Sequence, residues 1–204
     1  MVVDEVDDAV EAARALVRGG VTHLELTLRT ERAIDAVKAV VDSVPQMTVG
    51  AGTVLTVQQL EQVKAAGAAF AVAPGFNPKI VAAADQLDLP FAPGIATPSE
   101  IEAAYEAGCR LLKLFPATPL GGVSYLKSVN AAYGHLGLQY IPLGGVSQTT
   151  MSEWLGLPEV LAVGGSWLAK RDLIKAQQWD EIERRARDAA TRIAALSGDN
   201  GGAV

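Results

Sequence analysis

The stretch Arg110-Leu111-Leu112-Lys113-Leu114-Phe115-Pro116 reads as one short strand buried on both faces. Bulky aliphatic residues run through it without polar alternation, and Pro116 stops the ladder. A single ammonium sits in its middle. Burying that charge alone is costly, so Lys113 must find a carboxylate, shed its proton or reach water along its flexible stem. A lysine that sheds its proton near neutrality is a nucleophile for carbonyl carbon and can form a Schiff base. A strand-end lysine with a solvated head, or half of a structural ion pair, is the other reading of the same heptapeptide.

On either side the chain alternates between two periods. Val2-Val3 reads as a strand end, Asp7 to Arg18 as an amphipathic helix stopped by Gly19-Gly20, and Val21 to Arg29 as a strand of period two. Helices over 31–41, 57–66, 78–87 and 98–107 then alternate with strands over 47–52, 70–73 and 91–95, leading to the lysine strand. Helices over 125–133 and 149–155 alternate with strands over 139–143 and 160–163, and a last helix covers Asp180 to Leu196. Counting Val2-Val3, eight strands alternate with helices over about 200 residues, without a composition break. That pattern predicts an α/β fold, a small single-domain (β/α)8 TIM barrel over residues 1–196 with a flexible tail over 197–204. A doubly wound open sheet is the structural alternative. The barrel places chemistry on the loops after the C-terminal ends of the strands.

Bulk properties exclude several function classes. Hydrophobic residues make up 50% of 204, enough for a substantial core. A net charge of −6 without a basic run argues against nucleic acid and anionic membrane partners. A single cysteine, Cys109, rules out an internal disulfide framework and fits a reducing cytoplasm. No apolar run reaches the ~18 residues of a membrane span, and the acidic opening Met1 to Asp8 does not read as a secretory signal.

Polar groups fall where the barrel needs them. Leu24, Leu26 and Leu28 form one face of the second strand and must meet helices, which turns His23, Glu25 and Thr27 inward. An inward glutamate is expensive unless paired, and Lys113 is its natural partner, as a catalytic or a structural pair. Arg29 ends the strand at the mouth, where a guanidinium can clamp a carboxylate or phosphate or simply face solvent. Gly144-Gly145 and Gly164-Gly165-Ser166 close the last two strands, the positions of a phosphate cradle in this architecture. Gly121-Gly122 reads as a plain turn. His23 and His135 lack partners at metal-ligand spacing and read as packing or surface residues, as do Trp154, Trp167 and Trp179.

Taken together, LELTLRT (24–30), GAGTVLT (50–56), APG (73–75), LKLFPA (112–117), PLGGVS (142–147) and VGGSWL (163–168) resemble the 2-keto-3-deoxy-6-phosphogluconate aldolases and the wider group with the 4-hydroxy-2-oxoglutarate aldolases. The resemblance runs over nearly the whole chain, in order. It implies a class I aldolase without metal or other cofactor, acting on a small 2-keto acid as a homotrimer. By resemblance Lys113 is the Schiff-base lysine and Glu25 its acid/base. Arg29, Thr53, Pro74 and Phe115 match substrate-site positions, and Gly144, Gly145, Gly165 and Ser166 match phosphate-binding ones. The expected reaction yields pyruvate and glyceraldehyde 3-phosphate. Two departures stand out. Leu143 occupies the place of the family's common threonine, removing a hydroxyl from the site wall. The chain also opens after the family's usual first helix, a shortened N-terminus. Close alternatives are an aldolase for 4-hydroxy-2-oxoglutarate or the phosphogalactonate epimer. From a different class, a self-assembling scaffold on the same barrel would show apolar outer helices.

Overall fold

The computed structural model describes residues 1–199 and is a (β/α)8 barrel of the TIM type. Strands β1 (His23–Thr27), β2 (Thr48–Gly52), β3 (Phe70–Val72) and β4 (Phe91–Ala92) pair in parallel in that order. A second parallel run joins β5 (Gly94–Ile95), β6 (Leu111–Leu114) and β7 (Gln139–Pro142). The expected strand over 91–95 is thus split at Pro93, which has no N–H for a ladder; its carbonyl instead accepts from the Lys113 N–H at 2.9 Å.

The expected strand over 160–163 is corrected. It is a single bridge, Tyr140 to Val160. It still runs along β7: Tyr140 donates to the Glu159 carbonyl at 2.8 Å, Leu161 to Tyr140 at 3.1 Å and Gly164 to Pro142 at 3.1 Å. Val2-Val3 is likewise not a strand. Met1 makes the edge contact, its carbonyl accepting from the Thr27 N–H at 2.9 Å, while Val3 is buried.

The helices pack outside. Helix α1 (Val6–Arg18) buries Ala9, Ala12, Ala13, Ala15 and Leu16, a face of small side chains that lets neighbouring helices approach closely. At its C-cap Gly19, a Cβ would come within 2.4 Å of Ala186 Cβ in the last helix. Helices α2 (Ala33–Ser43), α3 (Val57–Ala65), α4 (Pro78–Gln86) and α5 (Pro98–Glu106) follow the sequence reading closely. Thr56 and Thr97 cap α3 and α5, the second with Glu100 in a reciprocal capping box. Helix α6 (Gly122–Tyr133) starts at the glycine pair read as a turn; Gly121 at φ 119° swings the chain into it. Then come α7 (Met151–Leu155), an unanticipated short α8 (Arg171–Lys175), and α9 (Trp179–Asp199). Helix α9 enters the expected tail as far as Asp199; the rest of that tail, 200–204, lies outside the described residues.

In β6 the alternation is fully used. Leu112 and Leu114 are buried in the core outside the strand, each contributing about 2 kcal/mol by leaving water, and Lys113 between them points to the barrel axis.

Candidate active site

Lys113 is the one buried charged residue among those described, only 5% exposed. Its Nζ donates to Oε1 of Glu25 at 3.3 Å, across the barrel from β1. The Phe115 ring lies beside the same nitrogen, with its centroid 5.6 Å away. In register, Lys113 is flanked by Gly94 on β5 and Ile141 on β7, so the walls beside it carry no competing polar side chain. An ammonium and a carboxylate this dry hold each other by proximity, and the ammonium can pass a proton to the carboxylate through that contact, leaving an amine beside a carboxylic acid.

Glycines open the room around the pair. A Cβ on Gly52 would fall 1.7 Å from Oε1 of Glu25, so the carboxylate occupies the space a side chain would take. A Cβ on Gly94 would fall 2.2 Å from the Pro74 carbonyl group, so the turn after β3 crosses directly over β5. Thr53, at φ 60°, turns the chain after β2 in a conformation uncommon for a non-glycine residue. Arg29 is exposed just past β1, and its N–H donates to the Thr27 carbonyl at 2.8 Å.

The two glycine loops are neighbours at the mouth. Gly144 and Gly145 take φ values of 91° and 84°, which glycine adopts without penalty. A Cβ on Gly144 would lie 3.1 Å from the Phe115 ring, and one on Gly164 would lie 2.6 Å from Cγ of Leu143. The leucine side chain therefore fills the seam between the loops. Gly145, Gly165 and Ser166 are exposed, leaving backbone amides accessible to an anion. The Trp167 ring presses on Gly165, its buried Nε1 without a partner. Arg185 of α9 donates to the Trp167 carbonyl at 2.8 Å and to Glu181 at 2.7 Å, tethering this loop to the last helix.

Lys113, Glu25, Phe115 and the residues past β2 and β3 thus lie together toward the strands' C-terminal side, with the glycine loops at the same end. His23 is exposed at the opposite end of β1. Among the described residues, no three His, Cys, Asp or Glu side chains gather as a metal-ligand set, and no helix is long and apolar enough to cross a membrane. Thr118 escaped the sequence reading, as did the particular roles of Gly52 and Gly94. Thr118 packs on Gly145, where a Cβ would meet its Oγ1 at 2.7 Å, and it also lines a cavity of about 700 Å³ with Ser124, Lys127 and Thr150. The signal for Gly52 was its place inside a strand, where glycine is unfavourable unless something needs the space.

Comparison with known proteins gives a consistent result. A family profile described as "Aldolase: KDPG and KHG aldolase" matches residues 1–185. The KHG/KDPG aldolase of Escherichia coli (strain K12) is 42% identical over 189 residues, covering 93% of this chain and 88% of that protein. The 2-dehydro-3-deoxy-phosphogluconate aldolase of Dickeya dadantii shows the same identity and coverage, 42% over 93% and 88%. Among solved structures, the KDPG aldolase of Legionella pneumophila, with pyruvate captured as a covalent carbinolamine intermediate, superposes with a TM-score of 0.89 at 36% identity, over 93% of this chain and 91% of that one. The Zymomonas mobilis enzyme with 3-phosphoglycerate has a TM-score of 0.85 at 34% identity, covering 93% and 88%.

Proposed function

The chain belongs to the KDPG and KHG aldolase family, and we propose that it cleaves 2-keto-3-deoxy-6-phosphogluconate to pyruvate and glyceraldehyde 3-phosphate, with Lys113 as the Schiff-base nucleophile. As an aldolase it is a carbon–carbon lyase. The observation that carries the residue assignment is the dry contact of Lys113 Nζ with Glu25, 3.3 Å apart on the barrel axis.

In this reading the free amine of Lys113 adds to the C2 carbonyl, giving a carbinolamine. The carbinolamine loses water to form an iminium. Glu25 supplies and removes the protons of that dehydration. It then takes the proton of the C4 hydroxyl while the C3–C4 bond breaks, and the electron pair flows into the iminium to leave an enamine. Reprotonation at C3 and hydrolysis release pyruvate and return Lys113. The carbinolamine held by the Legionella relative supports the first step.

Arg29 and Thr53 are proposed to hold the substrate's polar groups, and Pro74 and Phe115 to wall the imine. Gly144, Gly145, Gly165 and Ser166 are proposed to receive the phosphate, in keeping with the phosphorylated acid in the Zymomonas relative. The proposed assembly is a homotrimer, for which the exposed Leu55 and Leu161 offer apolar surface. The proposed compartment is a cytoplasm, which suits the lone thiol of Cys109. A self-assembling scaffold is the poorer reading: among the large apolar side chains exposed in the described residues, only Ile193 lies on a helix.

Borohydride reduction in the presence of pyruvate, followed by peptide mass mapping, tests the assignment. A stable pyruvyl adduct on Lys113, absent in Lys113→Ala, is expected. Labelling of another lysine would overturn it.

A further inference from the structure

We propose that Gly52 is a positioning residue for Glu25, kept free of a side chain so that the carboxylate can reach Lys113. The inference rests on the reading of Glu25 as the proton shuttle of an aldolase. Strand β2 carries two glycines, Gly50 and Gly52, in a setting where glycine weakens a strand. Neither has a positive φ, so the backbone at both positions would accept alanine. Space is therefore what each glycine provides, and the two spaces are used differently. At Gly50 the Phe70 ring of β3 fills it, 2.1 Å from where a Cβ would stand. That is packing between neighbouring strands.

At Gly52 the three nearest atoms all belong to Glu25: Oε1 at 1.7 Å, Cδ at 2.5 Å and Cγ at 2.7 Å. Nothing else stands as close. Glu25 does not face Gly52 in the ladder; it pairs with Gly50, and Gly52 pairs with Thr27. The glutamate side chain leans two register pairs forward, toward the strands' C-terminal ends, and its carboxylate comes to rest over the bare Cα of Gly52. From there Oε1 reaches Lys113 Nζ at 3.3 Å. A methyl group at residue 52 would displace the Glu25 side chain from Cγ outward, and none of the three atoms it would meet first is backbone. The fold would survive and the carboxylate would move.

The test is a double-mutant cycle between Gly52→Ala and Glu25→Asp, read by turnover and by exchange of the pyruvate methyl protons with deuterium from solvent. Gly52→Ala alone is expected still to give the borohydride-reduced pyruvyl adduct on Lys113 at completion, formed more slowly because Glu25 also serves the dehydration, while turnover and exchange fall together by about tenfold or more, since acid–base catalysis is the part displaced. The shorter aspartate withdraws from the new methyl, so in the Glu25→Asp background the same alanine is expected to cost less than about threefold, a non-additivity that marks direct contact. Equal losses in both backgrounds, or no loss for Gly52→Ala, would overturn the proposal. Should Gly52→Ala fail to fold, recovery of folding in the double variant would support the contact, and failure of both would overturn it. The underlying reading fails separately: it falls if the unsubstituted protein gives no adduct on Lys113 or if Glu25→Gln exchanges at the full rate.

Discussion

Lys113 and Glu25 meet at 3.3 Å although β6 and β1 lie in different hydrogen-bonded runs of the barrel, 88 residues apart in sequence. Their side chains are 6% and 18% exposed, so both charged groups have given up most of their water. Such a pair is weak support for stability, because its desolvation cost offsets most of the attraction. Replacing both members, as Lys113→Met with Glu25→Leu, is therefore expected to leave thermal stability unchanged or to raise it by about 1–4 kcal/mol while abolishing activity. Thermal unfolding of the double variant checks this; a fall of several degrees would make the pair structural.

Glu25→Gln keeps the shape of the side chain and removes its basicity. Binding of pyruvate to Lys113 should persist, and kcat should fall by about 10²–10⁴-fold, the range for a lost acid–base group. Steady-state kinetics beside borohydride trapping separate the two effects, and an unchanged kcat would remove Glu25 from the proton path.

Leu143 fills the seam between the two glycine loops, its Cγ 2.6 Å from where a Cβ on Gly164 would sit. Leu143→Thr exchanges that apolar wall for a smaller one bearing a hydroxyl. The ratio of kcat/KM for phosphorylated over unphosphorylated 2-keto acids should shift by about tenfold, the scale of one polar contact in a site wall. Competition between the two substrates measures it, and a constant ratio would make the position a bystander.

Asp4 ties the N-terminal segment to α8 through Arg171 Nε at 2.9 Å and Lys175 at 3.3 Å. The hydrogen bond from Arg171 lowers the Asp4 pKa from 3.8 to about 2, with a smaller contribution from Lys175. A carboxylate with a depressed folded pKa stabilises the fold above its unfolded value, and that contribution is lost as pH falls through the folded one. The advantage of the unsubstituted protein over Asp4→Asn should therefore be full above pH 3.8 and fade toward pH 2. Because the pair faces solvent, the difference should be small and shrink further in high salt. Acid unfolding of both proteins at two ionic strengths is the measurement.

Much of this was legible in the chain because two periodicities and one misplaced charge report directly on burial. Lys113 among leucines, and Glu25 opposite a leucine face, point inward once the fold is a barrel, though the lysine alone also allows a solvated head. The departures arise where hydrogen bonding rather than hydropathy decides. Phe91 to Ile95 has the composition of one strand, but Pro93 cannot donate, so it becomes two. Val160 to Val163 has the composition of a strand, yet it makes one bridge, on its β7 side. Helix α8 is too short to show a period. The role of Gly52 was hidden because an absent side chain gives no pattern; only the position of the Glu25 carboxylate reveals why nothing is there.

The bond from Arg185 to the Trp167 carbonyl carries a practical message for anyone trimming or fusing this polypeptide. Cargo attached beyond Leu196 leaves that fastening in place. A cut ahead of Glu181 would remove that fastening together with Ile182, Ala186 and Ala189, which are buried in the core, so it would cost the barrel its packing as well as the loop its tether.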